Sequence, residues 1–106
     1  MSSLLPADVE YEAAQGWWRV RIWIETGRVR RFVVQNETTI DERRVPVVRF
    51  DTAHGHAHRD QMFRNREPIK TPLGDYPSLD EALQIADDDV QRHWQTYRRQ
   101  FMRNQL

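Results

Sequence analysis

One ten-residue segment in the middle of the chain concentrates side chains that can do chemistry. It reads Asp51-Thr-Ala-His-Gly-His-Ala-His-Arg-Asp60, with three histidines in five residues and an aspartate at each end. Imidazole, carboxylate and guanidinium groups held together can move protons and bind phosphate. The sequence has no glycine-rich phosphate loop, GxSxG elbow, HExxH motif or EF-hand loop. Several common enzyme types are thereby excluded, and attention falls on this segment.

A tight hairpin turn would bring the ends of the segment together. If His54 and Gly55 are the two central turn residues, Asp51 lies opposite His58 and Arg49 lies opposite Asp60. Cross-strand partners have Cβ atoms about 5 Å apart, which allows direct contact. In this register the four side chains share a polar face with Val47 and Met62. The more apolar face carries Val48, Phe50, Ala57 and Phe63.

Such a face supports a hypothesis of RNA-directed acid–base chemistry. A carboxylate opposite an imidazole fixes the imidazole tautomer and makes it a better base. His58 would deprotonate an RNA 2′-hydroxyl, His54 would protonate the leaving oxygen, and arginine would clamp the phosphate. The candidate catalytic residues are Asp51, His54 and His58, and the candidate substrate-binding residues are Arg49, Arg59 and Asp60.

Two other interpretations of the segment stay open. The alternating residues His54, His56 and His58 could ligate Zn²⁺ with a flanking aspartate, although a turn at Gly55 would splay them apart. The cross-strand pairs could also do no more than fix the hairpin register. We assign no metal ligand and expect no cofactor.

Composition and charge bound the class of protein. The chain has 106 residues, no cysteine and a net charge of zero, so we expect one domain without disulfides or thiolate metal sites. Residues 17–66 hold eleven arginines against six acids, whereas residues 1–16 hold three acids and no base. An arginine-rich sheet suits phosphate, and overall neutrality argues against a dedicated nucleic-acid binder. No segment resembles a membrane span or signal peptide, so we expect a cytoplasmic protein.

The elements that position the segment are strands followed by a helix. We predict an α+β fold, an antiparallel meander of about four strands with one long C-terminal helix packed on it. Residues 1–16 are a lead-in that could include a short strand near residues 9–11. Residues 17–64 form the sheet, 65–77 a loop and 78–103 the helix. Alternating apolar residues predict strands near 17–24, 29–40, 44–52 and 56–64, with Pro46 marking a strand start, an edge or a bulge.

The helix has the clearest signals. Ser78 and Glu81 form a capping box. The apolar stripe recurs every three or four residues: Leu79, Ala82, Leu83, Ala86, Val90, Trp94, Tyr97 and Phe101. A helix of roughly 35 Å is longer than a sheet of short strands can cover. The overhanging Trp94, Tyr97 and Phe101 therefore predict either a homodimer or cover by the N-terminal lead-in.

The stretch from Val47 to Asp60 resembles an uncharacterised bacterial and archaeal family of about this length. Its core pattern is V-R-[FY]-D-x-A-H-G-x-x-H-R-D, and the resemblance covers most of residues 20–102. The segment Arg49-Phe50-Asp51 with His54 is also distantly similar to TumE-type toxins of toxin–antitoxin pairs, although their later proline–histidine cluster is absent here. That similarity implies an RNA-directed role.

These observations predict a small nucleic-acid-directed, toxin-like module that binds or cleaves RNA and has RNA or an antitoxin-like protein as partner. The alternative is a non-enzymatic interaction or structural domain that dimerises through its helix. A third possibility is a divalent-metal-binding protein. Whether the protein is an enzyme is left open by the sequence, and no membrane association is expected.

Overall fold

The fold is an antiparallel sheet with one long helix packed across it, an α+β architecture as predicted. The computed structural model describes residues 5–13 and 16–106, and it describes side chains from Gly16 onward with the exception of His54. Six strands follow one another in chain order across the sheet, each antiparallel to the next. The helix comes last and closes one face.

The strands are joined mostly by short connections. They are β1 (Leu5–Ala13), β2 (Gly16–Glu25), β3 (Arg28–Ile40), β4 (Arg43–Asp51), β5 (His58–Gln61) and β6 (Ile69–Pro72). Thr26 and Gly27 turn β2 into β3, and Asp41 and Glu42 turn β3 into β4, all four with positive φ. Such φ pairs give the turns whose twist matches that of antiparallel strands. Both turns lie in the gaps between the strands predicted near 17–24, 29–40 and 44–52.

Two features give the sheet its local shape. The β3–β4 register shifts between Asn36 and Glu37, with Glu37 opposite Pro46, so proline marks a bulge. Gly16 opens β2 with φ +93°, and a Cβ there would lie less than 3.0 Å from the backbone oxygen of Glu37. A residue with a side chain cannot occupy that position without displacing β3. Glycine is therefore required by close approach as well as by conformation.

The helix α1 (Leu79–Arg103) begins and ends at recognisable caps. The Ser78 hydroxyl accepts from the Glu81 amide at 3.2 Å, and Asn104 takes the left-handed conformation after the last turn. Its buried stripe packs on β3 and β4. The core joins this stripe to the inner sides of β2, β3 and β4: Trp18, Phe32, Val34, Val48, Phe50, Ala82, Ala86, Val90, Tyr97 and Phe101.

The predicted overhang of the helix is absent. Tyr97 and Phe101 keep only 4% and 5% of their accessible surface within a single chain, and Trp94 packs against the same core. Arg59 and Gln61 of β5 contact the end of the helix at Tyr97 and Gln100, and the Arg64 amide donates to the Phe101 carbonyl. The homodimer stays a prediction, but the exposed aromatic surface on which it rested is already covered.

Strand number is the main correction to the predicted architecture. The supposed lead-in 1–16 contains the nine-residue β1, and the supposed loop 65–77 contains β6. The predicted fourth strand is shorter than expected and is confined to β5. The additional strands lie at the two edges of the sheet. The order and direction of the four predicted strands are confirmed.

Candidate functional site on the open face of the sheet

The sheet has one face under α1 and one face turned away from the helix, which we call the open face. Arg59 and Gln61 of β5 contact the helix residues Tyr97 and Gln100. Because side chains alternate along a strand, His58 must point to the opposite side. Asp60 shares that side. The ladder pairs Asp51 with His58 and Arg49 with Asp60, as predicted. These four residues form what we call the polar cluster, on the open face.

The turn that joins the two strands of the cluster differs from the prediction. A short 3-10 turn (Ala53–Gly55) replaces the two-residue turn, and Gly55 donates its amide to the Thr52 carbonyl at 3.1 Å. Gly55 does take a positive φ. The prediction of a two-residue turn at His54 and Gly55 is wrong, because the ladder stops at Asp51 and His58. The register survives because the longer loop is arranged symmetrically about the same centre.

Asp51 is the hub of the polar cluster. Its Oδ2 accepts from Nε of Arg49 at 2.8 Å and its Oδ1 accepts from the Ala53 amide at 3.1 Å. Burial is the largest single influence and raises the pKa of the Asp51 carboxyl, whereas the two hydrogen bonds and the charges of His58 and Arg49 lower it. Together the lowering effects are larger, so the pKa of Asp51 lies below its usual value. The residue is therefore a carboxylate at neutral pH.

His58 is held from both sides of its ring. Nδ1 lies 3.1 Å from the carbonyl oxygen of His56, and Nε2 lies 3.0 Å from Oδ1 of Asp51. The second contact has ion-pair distance but not hydrogen-bond geometry, so Nε2 has no hydrogen-bond partner within the described chain. The residue keeps 8% of its accessible surface. The ring is fixed in position and almost enclosed.

Polar contacts continue from the cluster along β3. Nη1 of Arg49 donates to Oε1 of Gln35 at 3.4 Å, and Gln35 donates to the carboxylate of Glu37. Glu37 in turn lies 3.5 Å from Arg44 and 3.8 Å from Arg19. Gln35 and Glu37 are both buried although they belong to the uncovered face. Surrounding arginines provide that burial.

Arginine and tryptophan cover the rest of the open face on β2 and β3. A shallow depression of about 310 Å³ is lined by Arg19, Arg21, Trp23, Arg31, Val33 and Arg49, which we call the arginine surface. The Arg31 guanidinium stacks over the Trp23 ring at 4.4 Å, and Arg21 lies 5.7 Å from the same ring. Further along β2, Arg44 stacks over Trp17 at 4.1 Å. Aromatic rings and cations therefore alternate on this side of the sheet.

The candidate residues from the sequence are only partly brought together. Arg49, Asp51, His58 and Asp60 converge. Arg59 does not, because it lies on the helix side, where its Nη1 donates to the Tyr97 hydroxyl at 3.2 Å. The backbone of His54 belongs to the 3-10 turn, but its side chain lies outside the described residues.

One neighbour of the cluster also departs from the predicted division into faces. Val47 was placed on the polar face, but it lies in the buried core at the bulge. Sequence reasoning missed Gln35, Glu37 and Lys70 as neighbours of the cluster. Lys70 of β6 lies opposite Asp60, with its Nζ 3.8 Å from the carboxylate. The β3–β4 register and the existence of β6 would have been needed to find them.

The polar cluster is better arranged for holding a charge than for fast proton transfer. A general base must be within hydrogen-bond reach of the proton that it takes. Nε2 of His58 is inaccessible to solvent, and Nδ1 is occupied by a backbone carbonyl. The hypothesis that His58 deprotonates a 2′-hydroxyl therefore requires the RNA to displace its present neighbours.

Comparison with known families places the chain in one of them. The family described as "Domain of unknown function (DUF7718)" matches residues 8–106. The chain belongs to this family. The match covers all of the polar cluster, the arginine surface and α1, so these features belong to the matched domain. No curated protein and no solved structure matches the chain.

Family membership defines the domain without assigning it an activity. The prediction of an uncharacterised family is confirmed, whereas the similarity to TumE-type toxins stays a prediction. Within residues 5–13 and 16–106, no helix combines the length and apolar character needed to cross a membrane.

Proposed function

We propose that the protein binds single-stranded RNA on the open face of its sheet. The observation that carries the proposal is a pair of tryptophan–arginine stacks, Trp23 with Arg31 and Trp17 with Arg44, on the side that the helix leaves uncovered. Proteins that bind single strands combine aromatic rings, on which bases stack, with cations that contact the phosphates.

The spacing of the two tryptophan–arginine stacks suits an extended RNA strand. Trp17 and Trp23 are six residues apart on β2, which is roughly 20 Å at about 3.3 Å per residue. Both lie on the same side because their separation is even. The remaining arginines of the arginine surface lie between and beside them. An RNA strand that lies along β2 would thus contact an aromatic ring at each end and guanidinium groups in between.

A local acid limits the expected affinity. Glu37 lies within ion-pair distance of Arg19 and Arg44. Phosphates must compete with the Glu37 carboxylate for these two arginines. We therefore expect micromolar, strongly salt-dependent binding rather than the tight binding of a strongly basic protein.

The test is fluorescence anisotropy with a labelled single-stranded RNA at several salt concentrations. Trp23→Ala should weaken binding about tenfold, because stacking contributes roughly 1–3 kcal/mol per base. Arg31→Ala should weaken binding and reduce the slope of log affinity against log salt. Arg92→Ala is the matched control, since Arg92 is an exposed arginine on the outer side of α1. It should bind as the wild type does.

Two results would remove the proposal. One is no binding at roughly 100 µM protein in about 50 mM salt, where even non-specific RNA binders respond. The other is an equal loss in the Arg31 and Arg92 variants, which would indicate that only overall charge matters. Circular dichroism of each variant checks that the fold is retained.

We also propose RNA cleavage and a toxin-like role, which are more specific than RNA binding and need separate tests. Incubation of the labelled RNA with wild-type protein and with an Asp51→Ala, His58→Ala double variant tests cleavage. Products formed by the wild type alone would extend the function from binding to catalysis. Expression without an antitoxin-like partner tests toxicity. Growth arrest by the wild type and not by Trp23→Ala, Arg31→Ala would support the toxin-like role, and equal growth would reject it.

A further inference from the structure

Three potential metal ligands converge in the polar cluster. One ligand atom each from Asp51, His58 and Asp60 lie within 4.8 Å of one another. Asp51 and His58 each keep 8% of their accessible surface, and the Asp60 side chain keeps 15% of its own. The residues come from two paired strands, β4 and β5, so their spacing is set by the sheet. Rigid elements position ligands more precisely than loops do.

The hydrogen bonding of His58 identifies the nitrogen that is available. The His56 carbonyl oxygen near Nδ1 can only accept, so Nδ1 carries a proton and donates to it. Nε2 is then the ring nitrogen that faces the Asp51 carboxylate, 3.0 Å away and without a hydrogen-bond partner among the described residues. Metal-binding histidines are typically oriented in this way, with the second ring nitrogen donating to a carbonyl.

The distance and direction of the Asp51–His58 contact fit shared ligation. Two ligand atoms about 2.1 Å from one ion are separated by roughly 3.0 Å in an octahedral site and by roughly 3.4 Å in a tetrahedral one, and never by more than about 4.2 Å. Binding would therefore draw together any pair of the three atoms that lies near the 4.8 Å limit. The Nε2–Oδ1 distance is 3.0 Å, and the contact lacks the alignment of a hydrogen bond. The Asp60 Oδ1 atom is likewise inaccessible to solvent and has no hydrogen-bond partner among the described residues. Two buried polar atoms of the cluster thus remain unsatisfied.

We propose that Asp51, His58 and Asp60 bind a divalent transition-metal ion. One imidazole and two carboxylates suit Zn²⁺, Mn²⁺ or Fe²⁺ better than the all-oxygen preference of Mg²⁺ and Ca²⁺. Three protein ligands leave at least one position for water or a phosphate oxygen. Arg49, bonded to the far oxygen of Asp51, orients that carboxylate. The site differs from the histidine cluster considered in the sequence, because His56 supplies only its backbone carbonyl.

Lys70 makes the proposal sharper. Its ammonium lies 3.8 Å from the buried oxygen of Asp60, and its side chain is 60% exposed. A divalent ion would compete with this ammonium for the same oxygen. Removing the Lys70 charge should therefore strengthen metal binding, whereas in a purely structural ion-pair network it would only remove a weak surface contact.

Titration calorimetry of chelator-treated full-length protein with Zn²⁺ alone tests the site. We expect about one equivalent per chain. Asp60→Asn and His58→Gln should each lower the affinity at least tenfold, and Lys70→Met should raise it severalfold. His56→Ala and His93→Ala are the controls, since both residues are exposed histidines, and each should bind as the wild type does. Thermal unfolding of the Asp60→Asn variant without metal checks that it still folds.

Specific outcomes would overturn the inference. Less than half an equivalent of bound Zn²⁺ per chain would rule out a metal site in the polar cluster. Affinity lost in His56→Ala but kept in Asp60→Asn would place the metal on the exposed histidines. Unchanged affinity in Lys70→Met would show that Asp60 is not a ligand. No RNA is present in this experiment, so it fails or succeeds independently of the proposed RNA binding.

Discussion

Replacing Asp51 by alanine should destabilise the protein more than any change at an exposed acid. The substitution removes a charge-assisted hydrogen bond from Arg49, a hydrogen bond from the Ala53 amide and the ion-pair contact with His58. Charged hydrogen bonds contribute about 1.5–3 kcal/mol and neutral ones about 0.5–1.5 kcal/mol. Because the Arg49 side chain is 40% exposed and can be rehydrated, the lower part of each range applies.

The expected loss in the free energy of unfolding is then roughly 2–4 kcal/mol, including the cost of leaving Nε2 of His58 without its neighbour. For a domain of this size, 1 kcal/mol corresponds to about 4 °C or more, so the melting temperature should fall by roughly 8–16 °C. Urea unfolding followed by circular dichroism gives the free energy directly. The Asp51→Asn variant should lie between wild type and alanine, because the amide oxygen can still accept from Ala53.

Asp75→Ala is the matched control, since Asp75 is an exposed aspartate before the helix. We expect it to change stability by less than about 0.5 kcal/mol. If Asp51→Ala lost no more stability than Asp75→Ala, the contacts around Asp51 would not hold the hairpin, and the geometry assigned to the polar cluster would be refuted. A double-mutant cycle with Arg49→Ala should give a coupling energy of about 1 kcal/mol or more.

Three further predictions concern the framework of the fold. In urea unfolding, Gly16→Ala should destabilise the protein by about 2 kcal/mol more than Gly27→Ala. Both residues have positive φ, but only at Gly16 would an added Cβ meet the backbone of β3. Equal losses of stability would contradict the close approach of β3 to Gly16. Burial and the hydrogen bond to a helix carboxylate raise the pKa of Tyr97. The contribution of the Tyr97 hydroxyl to the free energy of unfolding is therefore complete below about pH 10 and is lost as the pH rises above that value. The stability difference between wild type and Tyr97→Phe should therefore shrink between about pH 8 and pH 11, and a constant difference would exclude this linkage. Phe101→Ala should lower the free energy of unfolding by about 3–5 kcal/mol and Met102→Ala by less than about 1 kcal/mol, because only Phe101 is buried. Similar losses would mean that the end of the helix is not packed against the sheet in the single chain.

The sequence predicted the central elements because their signals are local. The Ser78 cap, the apolar stripe of α1 and the alternation in β2 depend on residues close together in the chain. The pairings of Asp51 with His58 and Arg49 with Asp60 were also predicted, although the turn type was wrong. The register depends on the midpoint of the loop, which lies between His54 and Gly55, and loops of different length around that midpoint give the same pairs. The alternation of polar and apolar residues on the two strands indicated this midpoint.

The missed strands and contacts have physical reasons. Residues 5–13 do alternate, with Leu5, Ala7, Val9, Tyr11 and Ala13 between proline and acids. Small alanines and Pro6 weaken that signal. The edge strand β6 has four residues and ends at Pro72, which only an edge tolerates readily.

The covered helix end and the extended polar network were hidden for a different reason. The network through Gln35 and Glu37 follows from the β3–β4 pairing and its bulge, which are long-range properties. Likewise the contacts that cover the helix end join Arg59 to Tyr97 and Gln61 to Gln100, which are 38 and 39 positions apart in the chain. Neither can be obtained from local periodicity.

The most direct test of RNA binding on the open face is an NMR titration of ¹⁵N-labelled protein with single-stranded RNA. The indole N–H signals of Trp17 and Trp23 and the amides of β2 and β3 should shift, while the outer side of α1 around Arg92 should stay unchanged. Shifts confined to the helix, or none at saturating RNA, would contradict the proposal that the uncovered face of the sheet is the binding surface.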